Sequence, residues 1–167
     1  MANTRTVSRR EQIRDVVGLL ARLTLAGVFL VSGAIKASDA RETVVAVRAY
    51  QLLPESMVST VAAVMPYLEL ALGLLLLVGL ATRLTATIGA VVLVMFIAAV
   101  ISAAARGLSI DCGCFGGGGQ VDPGDTAYAE EILRDLLFLA LAGYLVIRPD
   151  TPLSIDRLAH RRAGDAA

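Results

Sequence analysis

Four long apolar runs, about Val16–Ala37, Met57–Leu80, Leu84–Ala105 and Tyr128–Ile147, constrain this chain more than any other feature. Each is about 20 residues or more, and a helix of that length at ~1.5 Å per residue crosses the ~30 Å hydrocarbon core of a bilayer. Inside lipid the backbone must satisfy its own hydrogen bonds, so such runs become helices. The sequence therefore predicts an all-α, multi-pass integral membrane four-helix bundle, consistent with 56% hydrophobic residues and a mean hydropathy of +0.71. The very short Ala81-Thr82-Arg83 turn makes the second and third spans antiparallel. With 15 basic and 15 acidic residues the net charge is zero, and no global field invites nucleic acid.

Charge placement orients the bundle. Four spans put both termini on one side, and nine arginines lie there (the tails and Arg83), against Lys36, Arg41, Arg48 and Arg106 on the other. The positive-inside rule then makes residues 1–15 and 150–167 cytoplasmic tails around a membrane domain at 16–149, in the plasma (inner) membrane. Ser8-Arg9-Arg10 resembles a twin-arginine export signal, but Gln12 follows where a large apolar residue is wanted, so it reads as a cytoplasmic anchor. Residues 38–55 mix Asp39, Arg41, Glu42 and Arg48 with valines, leucines and Tyr50, and read as an amphipathic outer helix closed by Pro54.

Polar residues within the spans mark internal faces. Arg22, Ala26, Phe29, Gly33 and Lys36 recur at steps of four and three, which is one helical stripe. Arg22 either snorkels to headgroups or pairs inside, and Lys36 is a paired or a solvated end. Ala62, Pro66, Glu69 and Gly73 share another face. Glu69, near mid-span, is either a functional carboxyl or one half of a packing ion pair. Arg134 is the cation expected to meet it, across an axial offset of roughly 9 Å, the alternative being a local Glu131–Asp135–Arg134 cluster at the headgroups.

The outer loop at 106–126 holds Asp111-Cys112-Gly113-Cys114-Phe115-Gly116, with the only two cysteines of the chain. Gly113 lets the two sulfurs approach each other, and Gly116–Gly119 predicts an open, flexible approach to them. On the outer side of the membrane dithiols are oxidised. A bridge between residues two apart closes almost no loop, so it staples little and is readily reduced. A redox pair follows, with Arg106 the nearest cation to favour a thiolate and Asp111 opposing it. Which sulfur is the nucleophile stays open. Cys-Gly-Cys also offers two soft ligands, but no nearby histidine or methionine completes a site, so no metal is expected.

The loop, Arg106-Gly107 before it, Arg134 after it, Pro66-Tyr67-Leu68-Glu69, and Gly33 with Lys36 resemble the MauE/DoxX group of bacterial membrane proteins over about Arg22–Pro149, MauE most closely. The resemblance implies maturation of an exported, disulfide-containing client, the methylamine dehydrogenase small subunit in the type family, with an extracytoplasmic thioredoxin-like partner. DoxX-like relatives imply coupling to membrane quinone. The expected activity is thus quinone-linked thiol–disulfide exchange by Cys112 and Cys114, with Glu69 and Arg134 moving protons. Arg106, Asp111, Gly113, Phe115 and Gly116 would support the loop, and Phe29, Phe96, Phe115 and Phe138 are candidates to line a quinone slot. The chain has no second cysteine pair to bring electrons from the cytoplasm, which favours oxidation of the partner. The alternative is a non-enzymatic scaffold for that partner or client. A transporter is disfavoured for want of an inverted repeat. Gly-rich faces would permit a homodimer.

Overall fold

The computed structural model describes residues 9–114 and 116–158. Phe115 and the tail residues on either side, His160 among them, lie outside the described residues. The protein is mostly helical: α1 (Arg9–Ser38), α2 (Ala40–Ala49), α3 (Glu55–Val78), α4 (Thr82–Ala105) and α5 (Tyr128–Ile147). A two-stranded antiparallel ladder, β1 (Ile110–Asp111) and β2 (Gly119–Gln120), closes the cysteine loop, with Ile110 opposite Gln120 and Asp111 opposite Gly119. Helices α1, α3 and α4 are long and apolar enough to cross a membrane. Helix α5 is 20 residues long but carries Glu130, Glu131, Arg134 and Asp135 near its start.

The four long helices pack in a cycle, α1 on α3, α3 on α4, α4 on α5 and α5 on α1, while α2 lies over α3 and β2. Both small-residue stripes are buried as the periodicity predicts. They meet closely, since a Cβ built on Gly33 would stand 2.8 Å from the Pro66 carbonyl oxygen. That carbonyl belongs to the kink-prone turn of α3, so any side chain at 33 would separate the two helices. Leu25, Phe29, Leu72, Leu76, Leu93 and Leu145 fill the core between them.

Arg22 does not snorkel; its hydrogen bonds go to main-chain carbonyls, and the charge of Asp156 lies close by. Its guanidinium, 1% exposed, donates to the Leu76 and Leu77 carbonyls at the end of α3 (3.3 and 3.4 Å) and to Pro152 and Leu153 (3.1 and 3.0 Å). The last carbonyls of a helix have no partner within it, and a five-donor fork is well shaped to collect them. Residues 151–158 are accordingly folded against the bundle. Asp156 accepts from the amides of Ala81 and Thr82, both at 2.8 Å, and so caps the start of α4.

Candidate functional site: a buried cysteine pair

The cysteine loop is held from three directions. The Tyr128 hydroxyl donates to the Leu108 carbonyl (2.5 Å) and accepts from the Ile110 amide (3.1 Å), fixing the entry strand to α5. Tyr50, at the end of α2, donates to the Cys112 carbonyl (3.3 Å), and Ser32 of α1 donates to the Cys114 carbonyl (2.7 Å). Arg106 sits away from the thiols. It donates to the Tyr50 and Gln51 carbonyls and so ties the end of α4 to the end of α2, a correction to its expected role beside a thiolate. Asp111 accepts from the Gly113 amide at 3.1 Å, and Gly113 takes φ 66°, which turns the chain between the cysteines.

The glycine run is not an open approach. Gly116–Gly119 all have positive φ, and a Cβ on Gly118 would lie 2.5 Å from that of Ala46. Glycine is used here to press backbone against α2. As a result Cys112 and Cys114 are 9% and 8% exposed, in an apolar cluster with Val100, Tyr50, Tyr128 and Ile132.

Both cysteines are free thiols, and their surroundings differ. Cys112 Sγ accepts from the Cys114 amide (3.3 Å) and lies 3.8 Å from Arg134 Nη2. A hydrogen bond from the Cys114 thiol holds Cys112 below the ordinary thiol range against the effect of burial, the Cys114 amide and Arg134 adding to the lowering and Glu131 opposing it. Cys114 is pushed up, first as the donor in that bond and then by burial, with Lys36 pulling the other way. The thiolate therefore belongs on Cys112 and the proton on Cys114.

Glu69 is fully buried, and its cation is Lys36 rather than Arg134. Lys36 Nζ donates to both Glu69 oxygens (2.7 and 3.0 Å) and to Ser32 Oγ (2.7 Å), the hydroxyl that reaches the Cys114 carbonyl. The ammonium also stands 5.2 Å from the Phe96 ring centroid. Arg134 instead bonds Asp135 (3.1 Å) and faces Cys112. Lys36 and Ser32 were not expected at the site, although both lie on the buried side of α1. Glu131 was expected only in a headgroup cluster with Arg134 and Asp135, not at the cysteines: it is 7% exposed and accepts from the Cys112 amide at 3.4 Å. Its spacing with Arg134 and Asp135, three and four residues on, puts all three on one face of α5 and was the available signal.

An apolar cleft of about 200 Å³ reaches the pair from between α2, α3 and α4. Cys112 and Cys114 border it together with Lys36, Met65 and Phe96, and Met95, 65% exposed, stands at its rim. Of the four phenylalanines expected around a slot, Phe96 lines this cleft. Phe29 and Phe138 border a separate cavity of about 20 Å³ among Ser32, Glu69, Cys114 and Asp135. For a metal ion, Asp111, Cys112 and Glu131 bring one donor atom each to within 4.8 Å of one another. The Arg134 guanidinium already supplies positive charge at that sulfur.

The sequence model of the family described as Methylamine utilisation protein MauE matches residues 14–148, most of the chain and all four long helices. The chain belongs to the MauE family. No curated protein and no solved structure matches it. The MauE match covers the cysteine loop, the Lys36–Glu69 pair and the charged face of α5 alike. It supports a membrane protein whose family name points to methylamine utilisation.

Proposed function

We propose that this MauE-family protein is a quinone-linked thiol–disulfide oxidoreductase of the plasma (inner) membrane. In this reading α5 is a fourth crossing, both termini are cytoplasmic by the arginine distribution, and the cysteine loop faces outward. An extracytoplasmic thioredoxin-like partner, serving an exported disulfide-containing client, gives up two thiols. A partner thiolate attacks the Cys112–Cys114 disulfide, a mixed disulfide forms, and the partner's second thiolate resolves it, leaving the partner oxidised and the pair reduced. The dithiol then passes two electrons and two protons to a quinone, restoring its own disulfide and releasing quinol.

One observation carries the reading: a largely apolar cleft is lined by both cysteines. At about 200 Å³ it is smaller than the ~300–1,000 Å³ of a drug-sized site, so it suits one ring with an isoprenoid chain running outside between α3 and α4. The burial of both thiols favours the second reading, a docking or assembly factor that exposes them only with its client. Thiol alkylation and mass shift in native membranes, with and without added oxidised quinone, separates the two. Conversion of reduced Cys112 and Cys114 to a disulfide only with quinone supports the oxidoreductase; a redox state indifferent to quinone rejects it.

A further inference from the structure

The proposed chemistry leaves a proton to be placed. A buried cysteine cannot become a thiolate unless some group takes its proton, and at 9% exposure Cys112 has little water to give it to. Glu131 is the group that α5 brings there. One of its carboxylate oxygens lies within 4.8 Å of Cys112 Sγ. Its Oε1 accepts from the Cys112 amide at 3.4 Å, which fixes the carboxyl against that residue. Its Oε2 is buried with no hydrogen-bond partner, in a side chain 7% exposed. An orphaned carboxylate oxygen in such a place is destabilising unless something donates to it. A proton shared with the thiol supplies that donor.

We propose that Glu131 is the proton acceptor and donor of Cys112, the two groups holding one proton between them beside Arg134. Cys112–SH with Glu131–COO⁻ becomes Cys112–S⁻ with Glu131–COOH, and the negative charge moves from one side of the Arg134 guanidinium to the other without leaving it. Other titratable groups facing the carboxyl are Asp111 from the loop and Tyr50 from the end of α2. In oxidation by quinone the dithiol gives up two electrons. The proton parked on Glu131 and the one on Cys114 both end on the quinol. When the partner dithiol reopens the disulfide, the two protons it gives up reload Cys114 and the Cys112–Glu131 pair. A divalent cation on Asp111, Cys112 and Glu131 would need the same sulfur that Arg134 faces, so the proton is the better occupant.

The inference rests on the thiol–redox reading for its use but not for its test, which needs neither quinone nor partner. With only two cysteines in the chain, Cys114→Ser makes the thiolate absorbance near the ultraviolet edge a report on Cys112 alone. Two groups sharing a proton titrate as a coupled pair, so the absorbance should rise in two steps. Adding Glu131→Gln removes a negative neighbour but keeps an oxygen to accept from the Cys112 amide. The curve should collapse to one step with its midpoint lowered by about one pH unit or more. A carboxylate that only sits beside the thiol also lowers the midpoint when removed, but gives a single step in the Glu131-containing protein; a single step there, or a curve the substitution leaves unchanged, overturns the proposal. If E131Q does not fold, infrared difference spectra of the Glu131-containing protein decide. The carbonyl stretch of a protonated carboxyl must grow as Cys112 ionises, and its constancy also overturns the proposal. Quinone coupling can fail in native membranes while this titration holds, and the reverse, so the two ideas fall separately.

Discussion

The Lys36–Glu69 pair gives the sharpest energetic prediction. The carboxylate has no exposure and the ammonium 8%, and three hydrogen bonds of 2.7 to 3.0 Å hold the ammonium between Glu69 and Ser32. Lys36→Met leaves Glu69 charged and dry; Glu69→Leu does the same to Lys36. Breaking a buried pair from one side costs about 3–5 kcal/mol, most of it the desolvation of the survivor. Removing both charges in Lys36→Met/Glu69→Leu restores an apolar interior, and a well-packed replacement is often neutral or better. The double variant should therefore recover to within ~1 kcal/mol of the parent, a coupling several times the ~0.5 kcal/mol scatter of independent sites.

For a chain of this size about 4 kcal/mol corresponds to a Tm loss of roughly 10 °C in each single variant. Thermal unfolding in lipid nanodiscs measures all four corners of the cycle. Near-parental stability of both single variants, or a double variant as unstable as the sum of the two, would refute the argument. The cycle also repairs a test that is otherwise confounded. Glu69→Gln alone slows a quinone-coupled enzyme and weakens the bundle together, because Lys36 loses its counter-charge. In the double variant the bundle is kept and the buried proton-carrying groups are gone, so quinone-dependent oxidation of the cysteines reports on chemistry alone.

Two further outcomes follow from the same geometry. With the Cys112 thiol held down and the Cys114 thiol pushed up while both are present, limited alkylation of the unaltered chain at pH 7 should label Cys112 at least ~10-fold faster than Cys114. Stopped alkylation with peptide mass readout checks this, and equal labelling of the two would refute it. Arg22→Leu takes the guanidinium from four carbonyls at the ends of α3 and the 152–153 turn, of which Leu76 keeps the Gly79 amide, at a cost of about 3 kcal/mol or more, and should release residues 151–158 to proteolysis before the bundle unfolds.

How much of this was legible in the sequence depends on what each residue answers to. The helices and the buried stripes of α1 and α3 were readable because lipid and packing act on residue type and period alone. The partner of Glu69 was not, since it depends on how α1 and α3 are rotated and tilted, and Arg134 was chosen in spite of an axial offset of roughly 9 Å. Arg22 was ambiguous because its partners are main-chain carbonyls, which every sequence possesses and no motif marks. The glycine run was read as freedom when its positive φ angles serve close contact with Ala46. Glu131, Arg134 and Asp135 had a visible spacing, but acids at a helix start have an ordinary explanation in the helix dipole, which masked a second use.

These particulars bear on how a Cys-Gly-Cys loop is given a direction. Two identical thiols one residue apart have no intrinsic difference, so any asymmetry has to come from the frame. Here α5 sets Arg134 and Glu131 at Cys112, while α1 holds the Cys114 carbonyl through Ser32 and places Lys36 near its thiol. The loop between them is pinned by Tyr50 and Tyr128, so neither sulfur can trade places with the other. The charged residues that make α5 a poor membrane span by composition thus act on one thiol of the two, Arg134 favouring the Cys112 thiolate beside the hydrogen bonds from Cys114, and Glu131 opposing it. A chain free to make α5 wholly apolar would gain a better span and lose both influences on Cys112.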